Sequence, residues 1–389
     1  MKIGITCYPT FGGSGVVATE LGIALAKRGI DVHFISYALP SRLSTLHERI
    51  RFHEVAMMNY PLFDNFPPYT LALATKMAEI AEYEDLDILH VHYAIPHAIS
   101  AFLAKQMLKD HPIRVVTTLH GTDITLVGRD PSFLPITRFG IDVSDGVTAV
   151  SGWLRDETIK FLDVQRPIEV IHNFVDPARF IRKSTNFLCD GFVRPGEKLF
   201  GHISNFRPVK RVLDVMEVFL RVQREVPAKL VMIGDGPERS RAEAFSREHR
   251  ITDRVLFLGN VPELEEVVAA LDLFLLPSET ESFGMAALEA LASEVPVIAS
   301  RAGGLPEVVA DGETGYLLPV GDVEGMAARA LELVRDDDLR KEMGRAGRRR
   351  AIELFHVDRI VPQYLAFYEL VMQAERRAGS DNRRDQPVL

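Results

Sequence analysis

The sequence is poor in the residues that define several common protein classes. Its two cysteines, Cys7 and Cys189, lie in different halves of the chain and indicate neither a disulfide framework nor a thiolate zinc site. No apolar run reaches the roughly 18 residues that a membrane-spanning helix needs. The net charge of −9 has the wrong sign for broad nucleic-acid affinity, so we expect no nucleic-acid partner. The segment that begins at Met1 lacks the pattern of a signal peptide, so we expect a cytoplasmic protein.

What the sequence has in quantity is typical of a globular α/β protein. Its 389 residues, of which 47% are hydrophobic and 25% charged, are enough for two domains of ordinary size. A strand over Lys2–Tyr8, a helix over Val16–Arg28 and a strand over Asp31–Ser36 form a βαβ start, which predicts a parallel sheet. A second series begins with a strand over Leu199–Ile203. We place the domain boundary between them, at His172–Asp176.

The stretch from Glu281 to Glu289 organises the second half of the chain. An apolar run over Leu271–Leu276 predicts a buried strand, and a helix is predicted over Phe283–Ser293. The helix N-terminus near Gly284 offers unpaired N–H groups that suit a phosphate. A phosphate flanked by two carboxylates fits a nucleotide-sugar, because each carboxylate can accept a hydrogen bond from one of its hydroxyls. The alternative is that Glu289 faces water, as most helix glutamates do.

A glycine-rich turn over Gly12–Gly15 follows the first strand. Glycine lacks a Cβ, so a ligand can approach the backbone closely there. Gly13, Gly15 and Ala18 also fit a dinucleotide-binding fingerprint. That alternative needs an acidic residue at the end of the second strand, where the chain has Ser36–Ala38 instead. We therefore do not favour an NAD enzyme.

Three histidines lie close together in the first half of the chain. His90 and His92 share one face of an extended strand, and His97 follows them. This clustering raises a metal site as an alternative, but no carboxylate or cysteine ligand follows within the motif, so we expect no metal. Tyr93 lies at the carboxyl end of the strand, where open parallel sheets bind their ligands.

Polar residues also follow the next predicted strand, Arg114–Leu119. His120 opens the sequence His-Gly-Thr-Asp directly after that strand, and Thr118 lies just before its end. A histidine and short polar residues at a strand's carboxyl end predict a functional site. A helix predicted over 135–143 carries Arg138, the best cation near this loop.

The two glutamates and the loop after them resemble a known family. Ser-Phe-Gly follows Glu281, Glu289 comes eight residues after Glu281, and Gly-Gly-x-Pro-Glu lies within Arg301–Glu307. This combination resembles the signature of the family-4 retaining glycosyltransferases, which have the GT-B fold. The resemblance implies an α/β protein with two Rossmann-like parallel-sheet domains facing a cleft. It implies an acceptor-binding domain over 1–172 plus a C-terminal helix at about 357–378, and a nucleotide-sugar-binding domain over 173–356.

The resemblance also implies roles for individual residues. It assigns Glu281 to the donor sugar, Glu289 to the ribose, and His120 to a contact with the donor sugar. In the family an arginine and a lysine clamp the diphosphate. Lys210 matches that lysine, while Asn205 stands at the arginine position, so we expect Arg207 to supply the charge. The implied catalytic residues are His120, Lys210 and Glu281, and the implied donor-binding residues are Gly13, Asn205, Arg207, Lys210, Phe283, Gly284, Met285 and Glu289.

The resemblance narrows to a subgroup of the family. The stretches that carry it are Ile3–Pro9, Gly12–Gly15, His90–His97, Thr117–Thr125 and Ser204–Arg211. Asn205 is itself usual in that subgroup. The implied reaction transfers N-acetylglucosamine from UDP-N-acetylglucosamine to the hydroxyl of L-malate, with retention at the anomeric carbon, as the first step of bacillithiol biosynthesis. No cofactor is implied, and protein cations take the place of a metal.

The chemistry of the acceptor predicts its binding residues. Malate is a small dianion, so its pocket needs a cation and several neutral donors. Arg138 is the candidate cation, with Ser14, Tyr93 and Thr118 as the donors. Two alternatives stay open: a family-4 enzyme with another acceptor, such as inositol phosphate, a sugar or a lipid, and a non-catalytic nucleotide-sugar-binding protein. A homo-oligomer also stays open.

Overall fold

The computed structural model describes residues 1–10, 12–40, 42–43, 47–57, 68–109, 111–182 and 191–381, and Cys189 lies outside them. Two compact units make up the chain. Unit 1 comprises Met1–His172 together with the segment from Asp358 onward, and unit 2 comprises Asn173–Val357. No helix in the described residues is both long enough and apolar enough to cross a bilayer.

Unit 1 is built on a seven-stranded parallel sheet. Its strands are β1 (Lys2–Thr6), β2 (Asp31–Ser36), β3 (Ile50–Glu54), β4 (Ile88–His92), β5 (Arg114–Leu119), β6 (Gly146–Ala149) and β7 (Ile168–Val170). They are ordered β3-β2-β1-β4-β5-β6-β7, and each neighbouring pair is parallel. The helices that connect them are α1 (Ser14–Ala26), α2 (Tyr69–Glu84), α3 (Ile99–Met107), α4 (Leu134–Asp142) and α5 (Gly152–Leu162). All of β4 is buried, as expected of a strand covered on both faces.

Unit 2 repeats this arrangement with six parallel strands. They are β8 (Lys198–Ile203), β9 (Ala228–Ile233), β10 (Val255–Gly259), β11 (Leu273–Leu276), β12 (Val297–Ser300) and β13 (Gly315–Leu318). Their order in the sheet is β10-β9-β8-β11-β12-β13. The helices are α6 (Val212–Val222), α7 (Arg239–Glu248), α8 (Leu264–Val268), α9 (Met285–Ala292), α10 (Leu305–Val308), α11 (Val323–Arg335) and α12 (Asp337–Phe355).

The last helix, α13 (Val357–Asp381), packs on the sheet of unit 1. Its Tyr364 and Tyr368 are fully buried, and the Tyr368 hydroxyl lies 2.7 Å from His90 Nδ1 on β4. A Cβ at Gly146, where β6 begins, would meet Val371 of the helix at 2.6 Å. Glycine at that position therefore allows the helix to approach the sheet.

One helix begins later than predicted. The helix expected from Phe283 begins at Met285, because Gly284 has φ 101° and so lies outside the helical region. Phe283 and Gly284 therefore belong to the loop that follows β11. The helix predicted over 135–143 is found at Leu134–Asp142.

Candidate functional site

The glycine-rich turn of unit 1 folds back onto the end of β1. A Cβ at Gly15 would meet the carbonyl oxygen of Tyr8 at 2.4 Å, so only glycine permits this packing. Gly13 has φ 61°, and α1 begins directly after it at Ser14. Ser14 is buried and lies close enough to Tyr93 to lower the pKa of its hydroxyl in part. The structure thus brings together two of the predicted acceptor-binding residues.

Tyr93 lies directly after β4 with φ 91°, a strained conformation for a side chain of this size. Burial raises its pKa to about 12, and hydrogen bonds with Ser14 and Thr122 lower it in part. Its ring centroid lies 5.4 Å from that of His120. The hydroxyl is therefore a neutral donor at physiological pH, as the prediction for the acceptor requires.

His120 is held by a second histidine. His92 Nδ1 lies 2.7 Å from His120 Nε2, and the two rings are stacked with centroids 4.9 Å apart. Burial lowers the pKa of His120 to about 3 and lowers the pKa of His92 well below its usual value. Both imidazoles are therefore neutral near pH 7, and the histidine cluster is a hydrogen-bonded network.

Thr118 is engaged inside the protein. The residue is completely buried, and its hydroxyl lies 2.7 Å from His90 Nε2 and 2.7 Å from Thr148 Oγ1. A hydroxyl has one donor and two acceptor positions, so binding the acceptor requires the remaining position or the loss of one partner. A role for Thr118 in binding the acceptor therefore stays a prediction. The same hydroxyl holds His90, which in turn contacts Tyr368 on α13.

The ion pairs that Arg138 forms do not involve the other predicted acceptor-binding residues. Its guanidinium pairs with Asp163 at 3.1 Å and with Asp142 at 3.8 Å. The side chain is 39% exposed, so these pairs are weak in water. A role in binding an acceptor carboxylate stays a prediction and requires both pairs to open.

Asp123 is a site residue whose individual role the sequence analysis missed. Its carboxylate accepts hydrogen bonds from the N–H groups of Gly121 and Ala94, both at 2.9 Å. It thereby ties the loop after β5 to the turn after β4. Burial raises its pKa to about 6, and these backbone donors oppose that shift. An aspartate three residues after His120 at a strand end was the available signal, since Asp often caps such turns.

In unit 2, the structure joins two of the predicted catalytic residues. Lys210 Nζ lies 2.6 Å from Glu281 Oε1, and the Ser278 hydroxyl donates to the same oxygen at 2.8 Å. The two side chains are only 18% and 13% exposed. Lys210 ends the short helical turn Pro208–Lys210 that follows β8, and Glu281 follows β11, which neighbours β8 in the sheet. The carboxyl ends of two adjacent strands therefore create this ion pair.

The two glycines of the Gly-Gly-x-Pro-Glu loop hold Glu281 in place. Gly304 N–H donates to the Glu281 carbonyl at 2.7 Å. A Cβ at Gly303, which has φ 59°, would lie 1.9 Å from the same carbonyl oxygen, and one at Gly304 would lie 2.4 Å from the Ser282 carbonyl oxygen. The loop after β12 can therefore approach the loop after β11 only because both residues lack side chains.

Glu289 lies on α9 and is only 4% exposed. This burial excludes the alternative that it is an ordinary solvent-facing glutamate. Phe283 is also buried, with its ring 5.5 Å from that of Phe355. Its side chain thus belongs to the core of unit 2, so any contact with the donor would come from its backbone. Met285 is the first residue of α9 and is half-buried.

Asn205 and Arg207 lie in the loop after β8, on either side of the fully buried Phe206. Both are exposed. A Cβ at Gly236 would lie 2.1 Å from the Asn205 carbonyl oxygen, so the Gly-Asp-Gly-Pro turn after β9 packs directly on this loop. Asn205, Arg207 and Lys210 therefore come from one loop, as the predicted diphosphate clamp requires, and their role in binding stays a prediction.

Comparison with known proteins identifies the class of this protein. A model described as Glycosyltransferase Family 4 matches residues 11–179, and one described as Glycosyl transferases group 1 matches residues 190–350. The chain belongs to this glycosyltransferase family, and its two parallel-sheet units have the GT-B fold. The family membership also excludes the dinucleotide-binding alternative for Gly13, Gly15 and Ala18.

Two individual relatives have names that specify a particular acceptor. The chain is 49% identical to the N-acetyl-alpha-D-glucosaminyl L-malate synthase of Bacillus anthracis over 377 residues, which cover 97% of this chain and 98% of that protein. It is 27% identical to a D-inositol 3-phosphate glycosyltransferase of Mycobacterium marinum over 352 residues, which cover 84% of this chain and 74% of the relative.

Solved structures share the fold at low sequence identity. A sucrose-phosphate synthase from Thermosynechococcus elongatus aligns with a TM-score of 0.81 at 21% identity, covering 96% of this chain and 100% of its own. The Anabaena protein HepE, solved with UDP and glucose, aligns with a TM-score of 0.79 at 18% identity, covering 94% and 98%. At these identities the likeness shows the fold alone.

Proposed function

We propose that this protein is a retaining glycosyltransferase that transfers N-acetylglucosamine from UDP-N-acetylglucosamine to the hydroxyl of L-malate. The observation that carries the proposal is the 49% identity, over 97% of the chain, to a relative named for this product. In this proposal the reaction is the first step of bacillithiol biosynthesis. Cytoplasmic location and oligomeric state stay predictions from the sequence.

Unit 2 binds the donor in this proposal. Lys210 and Glu281 neutralise each other at 2.6 Å. A diphosphate carries more negative charge than one carboxylate, so it competes with Glu281 for Lys210. Once released, Glu281 accepts a hydrogen bond from a hydroxyl of the sugar, and the buried Glu289 accepts one from a hydroxyl of the ribose. The ion pair is thus the contact with which the diphosphate of the donor competes.

Unit 1 binds the acceptor. Ser14 lies near Tyr93, whose ring lies beside His120, and the two hydroxyls provide neutral donors for a carboxylate. Arg138 supplies the positive charge once its pairs with Asp163 and Asp142 have opened. The neutral His120 contacts the donor sugar as a hydrogen-bonding group.

The transfer itself needs one bond to break and one to form. The bond from the anomeric carbon to the diphosphate oxygen breaks, and the malate hydroxyl oxygen bonds to that carbon on the same face. The hydroxyl proton passes to the departing diphosphate oxygen. Lys210, together with Arg207, stabilises the charge that develops on the leaving group. No metal ion takes part in this scheme, so addition of EDTA is expected to leave the rate unchanged.

The proposal is tested by measuring UDP release from UDP-N-acetylglucosamine with and without L-malate. Release should depend on malate, and succinate, which has the same carboxylates but no hydroxyl, should not support it. NMR of the product should show the α-anomer. Turnover with inositol phosphate and none with malate would instead establish the related transferase. Donor binding with no turnover on any acceptor would establish a non-catalytic binding protein.

A further inference from the structure

A second cluster of titratable side chains lies elsewhere on unit 1. One ligand atom from each of His33, His53 and Glu84 lies within 4.8 Å of the others. His33 Nδ1 is 2.9 Å from His53 Nε2, and the two rings are nearly parallel, with 6° between their planes. The glycosyl transfer proposed above uses none of these residues.

The register of the sheet creates this cluster. His33 on β2 is aligned with Arg51 on β3, and Ile35 is aligned with His53. Residues two apart on a strand share a face, so His33 and His53 are diagonal neighbours on one side of the sheet. Glu84 is the last residue of α2, which packs on that side. Three separate elements therefore contribute one ligand each.

The chemistry of the three groups suits a transition-metal ion. Imidazole nitrogens and a carboxylate oxygen are ligands that Zn²⁺ takes in proteins. One proton lies between His33 Nδ1 and His53 Nε2, and moving it to the far nitrogen of its ring leaves both facing nitrogens able to bind the ion. Zn–N bonds of about 2.0–2.1 Å in a tetrahedral site place two nitrogens about 3.4 Å apart. Metal binding therefore requires the two nitrogens to separate by about half an ångström, the rings to turn toward one ion, and the Glu84 carboxylate to move closer.

The surrounding charges leave Glu84 available as a ligand. Arg49 is neutralised by Asp31 at 3.0 Å, and Lys76 by Glu79 at 3.1 Å. Lys2 Nζ donates to the backbone carbonyl of Glu84 at 2.6 Å. Lys2 keeps its charge in this contact, and Arg51 is exposed and charged as well, so both oppose cation binding. A cavity of about 310 Å³ gives solvent access, and its lining residues are Lys2, Asp31, His33, Glu48, Arg49, Arg51 and Glu84.

We propose that His33, His53 and Glu84 bind one divalent transition-metal ion, of which Zn²⁺ fits best, with water in the remaining position. Because β3 is the edge strand of the sheet, the ion ties this edge to β2 and to the end of α2. His33 lies three residues, roughly 10 Å, before the last residue of β2. The ion is therefore structural and lies away from the strand ends that form the candidate functional site.

The test uses the untagged full chain, freed of metal with a chelator and then titrated with Zn²⁺ in a calorimeter and with Co²⁺ in a spectrometer. We expect one equivalent per chain, an intense tetrahedral Co²⁺ absorption band, and a higher melting temperature in the presence of Zn²⁺. His53→Gln and Glu84→Gln should each weaken binding by more than the roughly 10–100-fold that loss of an outer partner costs.

Two further variants sharpen the test. Arg51→Gln removes one opposing charge and should tighten Zn²⁺ binding, whereas His249→Gln, in unit 2, should leave it unchanged. Circular dichroism checks that each variant is folded, and Glu84→Gln decides the outcome if His53→Gln is not. The proposal is overturned if Zn²⁺ does not bind stoichiometrically, or if binding survives in the folded ligand variants. Because every readout is metal binding or melting, the result does not depend on transfer activity.

Discussion

At the scale of single residues, the pair formed by Lys210 and Glu281 stands out. A cation and a carboxylate with only 18% and 13% exposure pay a desolvation cost that their mutual attraction must offset. Ser278 helps by donating to the same carboxylate oxygen. The pair is therefore well satisfied, and in the proposed function a diphosphate must displace one partner from the other.

This competition predicts opposite effects for substitutions of the two residues. Lys210→Gln removes the cation and should weaken UDP binding while lowering kcat/KM by about 10²–10³-fold. Glu281→Gln removes the competing negative charge, so UDP should bind at least as tightly as in the wild type, although transfer falls. Calorimetry with UDP and steady-state kinetics measure the two effects. Lys341→Gln, an exposed lysine on α12, is the matched control. Wild-type UDP affinity in Lys210→Gln would contradict the assignment.

At the scale of elements, loops hold the candidate site and glycines position the loops. The loop after β12 lies against the loop after β11 through Gly303 and Gly304, and the turn after β9 lies against the loop after β8 through Gly236. In each case a Cβ would lie within 2.4 Å of a backbone oxygen. The positions of Glu281 and of the Asn205 loop thus depend on backbone contacts between loops.

A comparison of two glycine substitutions isolates this effect. Gly303 and Gly312 both have left-handed φ values, 59° and 78°, so alanine costs about 1–2 kcal/mol of backbone strain at either position. A Cβ at Gly303 also collides with the Glu281 carbonyl, whereas one at Gly312 meets nothing within 4 Å. Gly303→Ala should therefore lower kcat/KM more than tenfold beyond Gly312→Ala, since a misplacement of about 1 Å can cost about 10²-fold. Kinetics and thermal melting of both variants provide the measurement, and equal activity in the two would refute the argument.

At the scale of the whole molecule, the two units differ in their content of buried histidine. In unit 1, burial lowers the pKa values of His33, His90, His97 and His120 to about 4, 3, 4 and 3, and that of His92 well below its usual value. In unit 2, burial lowers the pKa of His202 to about 4. These differences link the stability of each unit to pH.

The sign follows from proton binding. Below about pH 6.5 the unfolded chain protonates these histidines while the folded chain does not, so stability falls as pH falls toward about pH 4. Each pKa unit corresponds to about 1.4 kcal/mol per group. Asp123 acts in the opposite direction, because its raised pKa lets the folded state bind a proton below about pH 6. One carboxyl group offsets only part of the effect of five buried histidines.

Unit 1 should therefore unfold before unit 2 in mild acid. The chain has a single tryptophan, Trp153, which lies on α5 of unit 1 and reports on that unit alone. From neutral pH to about pH 5, the melting temperature measured by tryptophan fluorescence should fall. It should fall by more than the temperature of the later part of the melting transition measured by circular dichroism. A coincident shift of both signals, or an earlier loss of unit 2, would show that the histidine network does not control acid stability.

The sequence by itself determined the class of this protein and predicted most of the residues of its candidate site. Apolar runs of strand length alternate with amphipathic helices along this sequence. Such strands pair their backbone N–H and C=O groups in parallel sheets that the helices cover on both faces. The architecture therefore follows from the local pattern. The predicted site residues His120, Lys210 and Glu281 follow the ends of strands, and loops at those ends are anchored by the strands before them. Such positions can be read from one segment at a time.

Only the tertiary structure decided which of these side chains meet and which are buried. Lys210 and Glu281 are 71 residues apart in sequence, and Thr118 is engaged by His90 and Thr148 from neighbouring strands. The cluster of His33, His53 and Glu84 likewise depends on the register between β2 and β3 and on where α2 ends. The physical reason is that burial and pairing arise from the alignment of distant strands, and no local periodicity encodes that alignment.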